Sequence, residues 1–197
     1  MSTETGNVDL VGDEVAGNLA RTAVFAALMG AFAFVSFPFP LSPAPVTLQV
    51  LGVFLAGIML GPLWGGAAML LYLLAGILGA PVFAGGSAGL GTLFGATGGY
   101  LVSYPIAAFA IGAVVHGGLE LGSYREAGLP RLLGGMVVGT VVIYALGVAG
   151  LYYVLGGSPD WTLTRAIVSG ALVFLPAEAV KMAAALGIVR SDAITAE

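Results

Sequence analysis

The chain alternates between long apolar runs and short breaks rich in proline and glycine. Residues 22–119 contain no Asp, Glu, Lys or Arg. A membrane-crossing helix needs roughly 20 mostly apolar residues, so this interval alone has room for several. The breaks divide the chain into six predicted helices: 19–37, 46–60, 62–79, 99–117, 130–155 and 162–189. Pro38, Pro40, Pro43 and Pro45 force an extended connection after the first, because proline breaks helices and turns its predecessor away from helical backbone. Gly61-Pro62 divides the second from the third, Gly79-Ala80-Pro81 ends the third, and Gly156-Gly157-Ser158-Pro159 ends the fifth. The second and third are short for a full crossing, and the sixth is long enough to cross with tilt.

The fold this predicts is an all-α membrane protein of six transmembrane helices. Residues 19–190 form one domain between an acidic N-terminal tail (1–18) and a C-terminal tail (191–197). Composition supports the class: 59% of residues are hydrophobic and 8% charged, against about a quarter charged in an ordinary soluble domain. Six scattered cations make no basic stripe, so nucleic-acid binding is not expected. The absence of Cys excludes disulfides and thiol catalysis. One His builds no zinc site, so no metal and no cofactor is expected. No G-x-x-x-x-G-K-[ST] phosphate loop occurs, so the chain is not expected to hydrolyse ATP itself.

Glu4, Asp9, Asp13 and Glu14 precede the first Arg, which is not the basic start of a secretory signal. With six crossings, Arg21, Arg125, Arg131 and Arg190 fall on one side and Arg165 near the other. Cationic residues favour the cytoplasmic side, so both termini are predicted to be cytoplasmic, in a cell-membrane protein.

Three features carry candidate chemistry. The stretch 80–98 is too glycine-rich for a span and too apolar for a loop free in water. Irregular backbone at membrane depth is tolerated where protein buries it or it lines a cavity, so it reads as a lid or as a packed connector. Glu178 and Lys181 lie deep in the last helix, Lys181 roughly 13 Å from Arg190 at about 1.5 Å per residue. Ionisable groups at that depth face an interior or a cavity, and i, i+3 spacing puts both on one face. They form either a structural ion pair or a ligand site offering donors and acceptors together. Ala23, Ala27 and Ala31 form a smooth stripe on the first helix, suited to packing or to docking another subunit. Gly57, Gly61 and Gly65, and Gly135 with Gly139, form similar runs read as internal packing.

Gly85-Gly86-Ser87-Ala88-Gly89 matches the G-x-S-x-G hydrolase elbow. That motif needs a histidine within reach of the serine, and His116 is predicted at the far end of a helix, so the match reads as chance.

The sequence resembles the BioY family, the biotin-binding S components of energy-coupling-factor (ECF) transporters. One block carrying the resemblance runs through Pro45-Val46-Thr47-Leu48-Gln49-Val50-Leu51-Gly52, Leu60-Gly61-Pro62, Tyr72-Leu73, Gly79-Ala80-Pro81-Val82-Phe83-Ala84-Gly85-Gly86 and Thr97-Gly98-Gly99-Tyr100-Leu101. The other is Leu175-Pro176-Ala177-Glu178-Ala179-Val180-Lys181. The resemblance implies an S-component bundle with a Gly-rich outward loop between helices three and four closing over the ligand. It implies biotin as ligand, and as partners a transmembrane coupling subunit and two cytoplasmic ATPases, docking partly through Ala23, Ala27 and Ala31. Expected ligand contacts are Glu178 and Lys181, then Ser87, Thr97 and Tyr100, and then Gln49; Phe83, Phe94 and Trp161 are candidate apolar walls.

Departures from the family pattern are Glu178 for Asp, Ala177 for Gly and Ala96 for Pro; some members also have Asn where this chain has Ser87 and Arg where it has Leu101. The last removes a partner for the ligand carboxylate. The alternatives are an S component for another vitamin, an ion-coupled carrier in which Glu178 titrates, and a membrane enzyme with Ser87 as nucleophile.

Overall fold

A computed structural model describes residues 12–191. Most of the predicted acidic tail (1–11) and of the C-terminal tail (192–197) lies outside the described residues. Helix α1 spans Asp13–Phe34, starting six residues before the predicted 19. Asp13 and Glu14 occupy its first turn, where carboxylates complement the helix dipole. Residues 13–18 of the predicted tail therefore belong to the helix.

The proline connection is a hairpin. β1 (Ser36–Phe37) pairs antiparallel with β2 (Val46–Thr47), Ser36 opposite Thr47. Helix α2 (Gln49–Ile77) takes in both short predicted segments. It is not straight, because Gly61 adopts φ 73°, ψ −174°, a backbone that side-chain-bearing residues rarely adopt. The halves 49–60 and 62–77 fold back on each other, with Gly65 against the backbone of Ala56 and Gly57.

The bend has its own lock. Pro62 has no N–H to give the Ile58 carbonyl four residues back. The His116 Nε2 lies 2.9 Å from that oxygen, while Gly122 N–H donates to His116 Nδ1 at 3.0 Å. With Nδ1 accepting, Nε2 is the ring nitrogen that donates to the Ile58 carbonyl.

After two short 3-10 turns comes α3 (Gly98–His116), then α4 (Leu129–Leu155). The predicted sixth helix is interrupted: α5 (Leu163–Gly170) and α6 (Leu175–Arg190) are joined by a 3-10 turn, with Ala171 at φ −135°, ψ −60°. Pro176 explains the break, since its ring excludes a continuous helix through residue 172 and tolerates only a first turn. The Gly170 carbonyl at the break accepts the Tyr100 hydroxyl at 2.7 Å.

Among the described residues, five helical stretches are long and apolar enough to cross a membrane: Asp13–Phe34, Gln49–Ile77, Gly98–His116, Leu129–Leu155 and Leu163–Arg190. Residues of α2 make up much of the core, packed against α1 and α3. The glycine runs sit inside: Gly57 meets Ala108 and Ile111, while Gly135 and Gly139 meet Ile111 of α3. Outward-facing residues such as Val24, Leu70, Leu78, Val141 and Val180 are exposed and apolar. So much apolar surface suits a hydrocarbon surround and not water.

Candidate ligand-binding site

Several elements converge on one cavity at the end of the bundle that carries the hairpin. It holds about 540 Å³ of space free of protein atoms, counting its mouth. The hairpin and the start of α2 contribute Pro45, Thr47, Gln49 and Val50. Thr97, at the N-cap of α3, and Tyr100, Leu101 and Tyr104 on one face of the helix follow i, i+3, i+4, i+7 spacing. Helix α4 adds Ile143 and Tyr144, the 3-10 turn adds Phe174, and α6 adds Glu178 and Lys181.

The charged pair is at the cavity wall. Glu178 is 2% exposed and Lys181 6%. Lys181 Nζ lies 2.7 Å from Glu178 Oε1, and the Tyr144 hydroxyl donates to the same oxygen at 2.8 Å. The other oxygen, Oε2, is buried with no hydrogen-bond partner among the described residues. An unsatisfied buried carboxylate oxygen is costly. Lys181 has three donors and gives one to Glu178. The pair therefore keeps one acceptor without a partner among the described residues, and Lys181 retains donors beyond the one it gives Glu178.

Around it, aromatic rings set the shape. Tyr144 stacks on Phe174 with centroids 6.1 Å apart and meets Tyr100 edge-on at 6.2 Å. Phe174 in turn packs on Phe39 of the proline connection. Opposite, Thr47 Oγ1 donates to Gln49 Oε1 at 3.1 Å, Gln49 Nε2 to Tyr72 at 2.7 Å, and Tyr72 to the Val82 carbonyl at 3.1 Å. This chain of bonds ties β2, both halves of α2 and the start of the glycine-rich stretch together.

Of the residues expected from the sequence, Gln49, Thr97, Tyr100, Glu178 and Lys181 line this cavity. Ser87 does not: it is exposed and donates to the Ala84 carbonyl at 3.0 Å. The three candidate walls lie elsewhere. Phe83 is buried beside Tyr72, in the notch left by Gly76. Phe94 is 73% exposed, and Trp161 lies under Arg165. Tyr104, Tyr144 and Phe174 were missed. The one available signal was a hydroxyl within an apolar helix, at Tyr104 and Tyr144. Leu101, where the resemblance would have placed Arg, lines the cavity as an apolar group. Lys181 is the only cation in the lining.

An apolar multi-pass bundle with a partly polar cavity opening at one end defines a membrane protein that binds a small molecule. Comparison with known proteins makes this particular. The chain belongs to the BioY family, which matches residues 3–195. A Rhizobium etli protein named biotin transporter BioY is 36% identical over 178 residues, 86% of this chain and 90% of its own length. A biotin transporter BioY of Rhodobacter capsulatus is 35% identical over 174 residues, 84% of this chain and 87% of its own. Among solved structures, the crystal structure of the S-component for biotin from an ECF-type ABC transporter is similar, with a TM-score of 0.79 and 25% identity. That likeness covers 91% of this chain and 92% of the other. The family is one of transporters, not of enzymes. In keeping with that, Ser87 is far from His116, which is occupied at the Gly61 bend.

Proposed function

We propose that this chain captures biotin from outside the cell for uptake, as the binding subunit of an ECF transporter energised by partner ATPases. The observation that carries the site is the buried Glu178–Lys181 pair in the cavity lining, with one carboxylate oxygen, Oε2, left without a partner among the described residues. An orphaned acceptor beside spare ammonium donors complements a group that carries N–H and C=O side by side. The cyclic urea of biotin is such a group: one N–H donates to Glu178 Oε2, and its carbonyl accepts from Lys181. Val50, Leu101, Ile143 and Phe174 supply the apolar contact for the rings and chain, as small-molecule pockets do. With Leu101 offering no charge, the ligand carboxylate turns to the mouth, toward backbone N–H groups, Thr97 and water. The glycine-rich stretch closes the mouth, a role supported by Ala84 in the lining.

Six crossings are supported by the fold-back of α2 at Gly61, and they put both termini on one side. Arg21, Arg125, Arg131 and Arg190 then make that side cytoplasmic. Partners are a transmembrane coupling subunit and two cytoplasmic ATPases. Ala23, Ala27 and Ala31 are all exposed on α1, opposite the face of Thr22, Ala26, Met29 and Ala33 that packs inward. They offer a smooth surface to the coupling subunit.

The test is binding of radiolabelled biotin to the purified full chain in lipid nanodiscs, followed by a liganded structure. Saturable binding with the urea on Glu178 and Lys181 is expected. Absence of saturable binding, or a ligand lodged elsewhere while the pair touches only itself, overturns the proposal.

A further inference from the structure

The lining of the cavity carries no net charge. Lys181 is its only cation and Glu178 its only anion, and the two are bonded to each other at 2.7 Å. Arg165, the cation of α5, lies outside the lining, against the Trp161 ring and the Asp160 carbonyl. Three of the lining hydroxyls are already committed: Tyr144 donates to Glu178, Tyr100 to the Gly170 carbonyl and Thr47 to Gln49. A carboxylate carried in by a ligand therefore meets no free counter-charge among the described residues.

Beside the mouth runs a groove of about 890 Å³, counting open space. Ala44 and Pro45 line both the cavity and the groove, and Ala84 of the cavity is followed by Gly85 of the groove. Phe39 in the groove packs on Phe174 in the cavity, with centroids 5.6 Å apart. The two spaces therefore adjoin between the proline connection and the glycine-rich stretch. No Asp, Glu, Lys, Arg or His lines the groove. Pro38, Pro40, Pro43 and Pro45 give it apolar rings and no N–H, and the Ala44 N–H is spent on Ser42 Oγ at 3.0 Å. A surface short of cations and donors has little to offer a carboxylate. It suits an alkyl chain, and its backbone carbonyls suit a ligand N–H.

We infer that the site takes amides of biotin, in which the carboxyl is joined to an amine, as well as the free acid, and that the appended chain leaves along the proline groove. The inference rests on the reading of the chain as a biotin-binding subunit. Forming the amide removes the charge of the ligand. In a site built around a cation for the carboxylate, that change forfeits a charge-assisted bond; here the one lining cation is already neutralised by Glu178. The urea end is unaltered and still meets Glu178 and Lys181. Rejecting amides requires either a free cation or a closed wall at the carboxyl end, and the lining has neither, because the cavity opens there onto the groove.

The test is competition against radiolabelled biotin on the purified full chain in nanodiscs, with two probes: the primary amide of biotin, and biotin joined through an amide to the side-chain amine of lysine. Both are expected to bind within about tenfold of biotin, whereas a site holding the carboxylate by a charge-assisted bond would lose more than that. The lysine conjugate carrying a photoreactive group at its far end is expected to crosslink to the proline connection, residues 36–43. Phe34, which is exposed and lines only the groove, provides the variant. Phe34→Ala should weaken the lysine conjugate about fivefold and leave biotin and its primary amide within about twofold, which also certifies folding. Amides more than about tenfold weaker than biotin, or a crosslink confined to residues outside the groove, overturn the inference and leave the functional reading standing. Absence of saturable binding of biotin itself overturns that reading and the inference with it.

Discussion

Replacing Glu178 by Gln tests the site at its most informative atom. The two donors to Glu178, Tyr144 at 2.8 Å and Lys181 at 2.7 Å, both address Oε1. In the Gln variant the amide oxygen must stay there, because an NH2 group would face two donors. The amide nitrogen then takes the place of Oε2 and presents N–H to the urea N–H of the ligand. The charge-assisted bond, about 1.5–3 kcal/mol, is lost, and a donor is left facing a donor, about 1–3 kcal/mol more. The total is at least about 3 kcal/mol, or more than a hundredfold in Kd. The assay is equilibrium binding of radiolabelled biotin in nanodiscs, with elution profile and thermal unfolding as controls for folding. Glu178→Asp keeps the charge, retracts it by one methylene, and should retain most of the binding that Gln loses. A biotin derivative methylated at the urea nitrogen should bind wild type weakly, and the Gln variant little worse than biotin itself does, since that pair of changes removes one interaction twice. A well-folded Glu178→Gln chain binding biotin within about threefold of wild type would refute the reasoning, because Oε2 would not then be facing the ligand.

The remaining predictions separate binding from scaffolding. Tyr144→Phe keeps the ring on Phe174 and removes one bond to Glu178; a net loss of about 1–2 kcal/mol should weaken biotin roughly 5- to 30-fold in the same assay. Removing the imidazole with His116→Ala leaves the Ile58 carbonyl at the bend unpaired. Thermal unfolding should then show about 1–3 kcal/mol less stability, with biotin Kd unchanged because the bend is at the far end. Gly61→Ala forces a side chain into φ 73° and within 2.9 Å of Leu121. It should destabilise by about 1–3 kcal/mol in urea or thermal unfolding, and a variant as stable as wild type would show that the bend does not depend on glycine.

Much of the bundle was legible because the signals were local. Pro62 and Gly61 punctuate the sequence and do bend α2; Pro38 to Pro45 exclude a helix and leave a hairpin. The depth of Glu178 and Lys181 followed from counting residues back from Arg190. Rotation about a helix axis was harder to read. Tyr104 and Tyr144 sit in helices that are apolar nearly all round, where periodicity gives no inward face, so neither stood out from packing aromatics. Ser87 is next to residues of the right stretch but bonds back to Ala84, a detail of local turn geometry that spacing does not encode. The break between α5 and α6 was signalled by Pro176, yet the apolar run through it read as continuous because hydrophobicity does not distinguish a 3-10 turn from a helix. The start of α1 was placed late for the opposite reason: charge at Asp13 and Glu14 suggested solvent, whereas at a helix N-terminus charge is a stabilising element.

The charged pair gives the proposed site a physical basis for selectivity inside a membrane. A lone carboxylate there would be untenable, whereas Lys181 neutralises it and Tyr144 adds a second bond at the same oxygen. What is left over is one acceptor, Oε2, with the remaining ammonium donors beside it. A buried carboxylate oxygen without a partner costs about 1–3 kcal/mol, and in the proposed site a ligand N–H on Oε2 would offset that amount. A ligand offering only acceptors can meet Lys181 but leaves Oε2 bare, and a hydrocarbon meets neither. Sites built to hydrogen-bond a group reject analogues lacking it far more strongly than apolar pockets reject a missing methylene. On the proposed site, selectivity comes from the requirement for N–H and C=O together, while Ile143, Phe174 and Leu101 add affinity with little discrimination. Replacing one urea N–H of biotin by CH2 should accordingly weaken binding more than shortening its aliphatic chain by one CH2, and competition of the two analogues against radiolabelled biotin decides it. The reverse order would place the discrimination in the apolar wall and not in the pair.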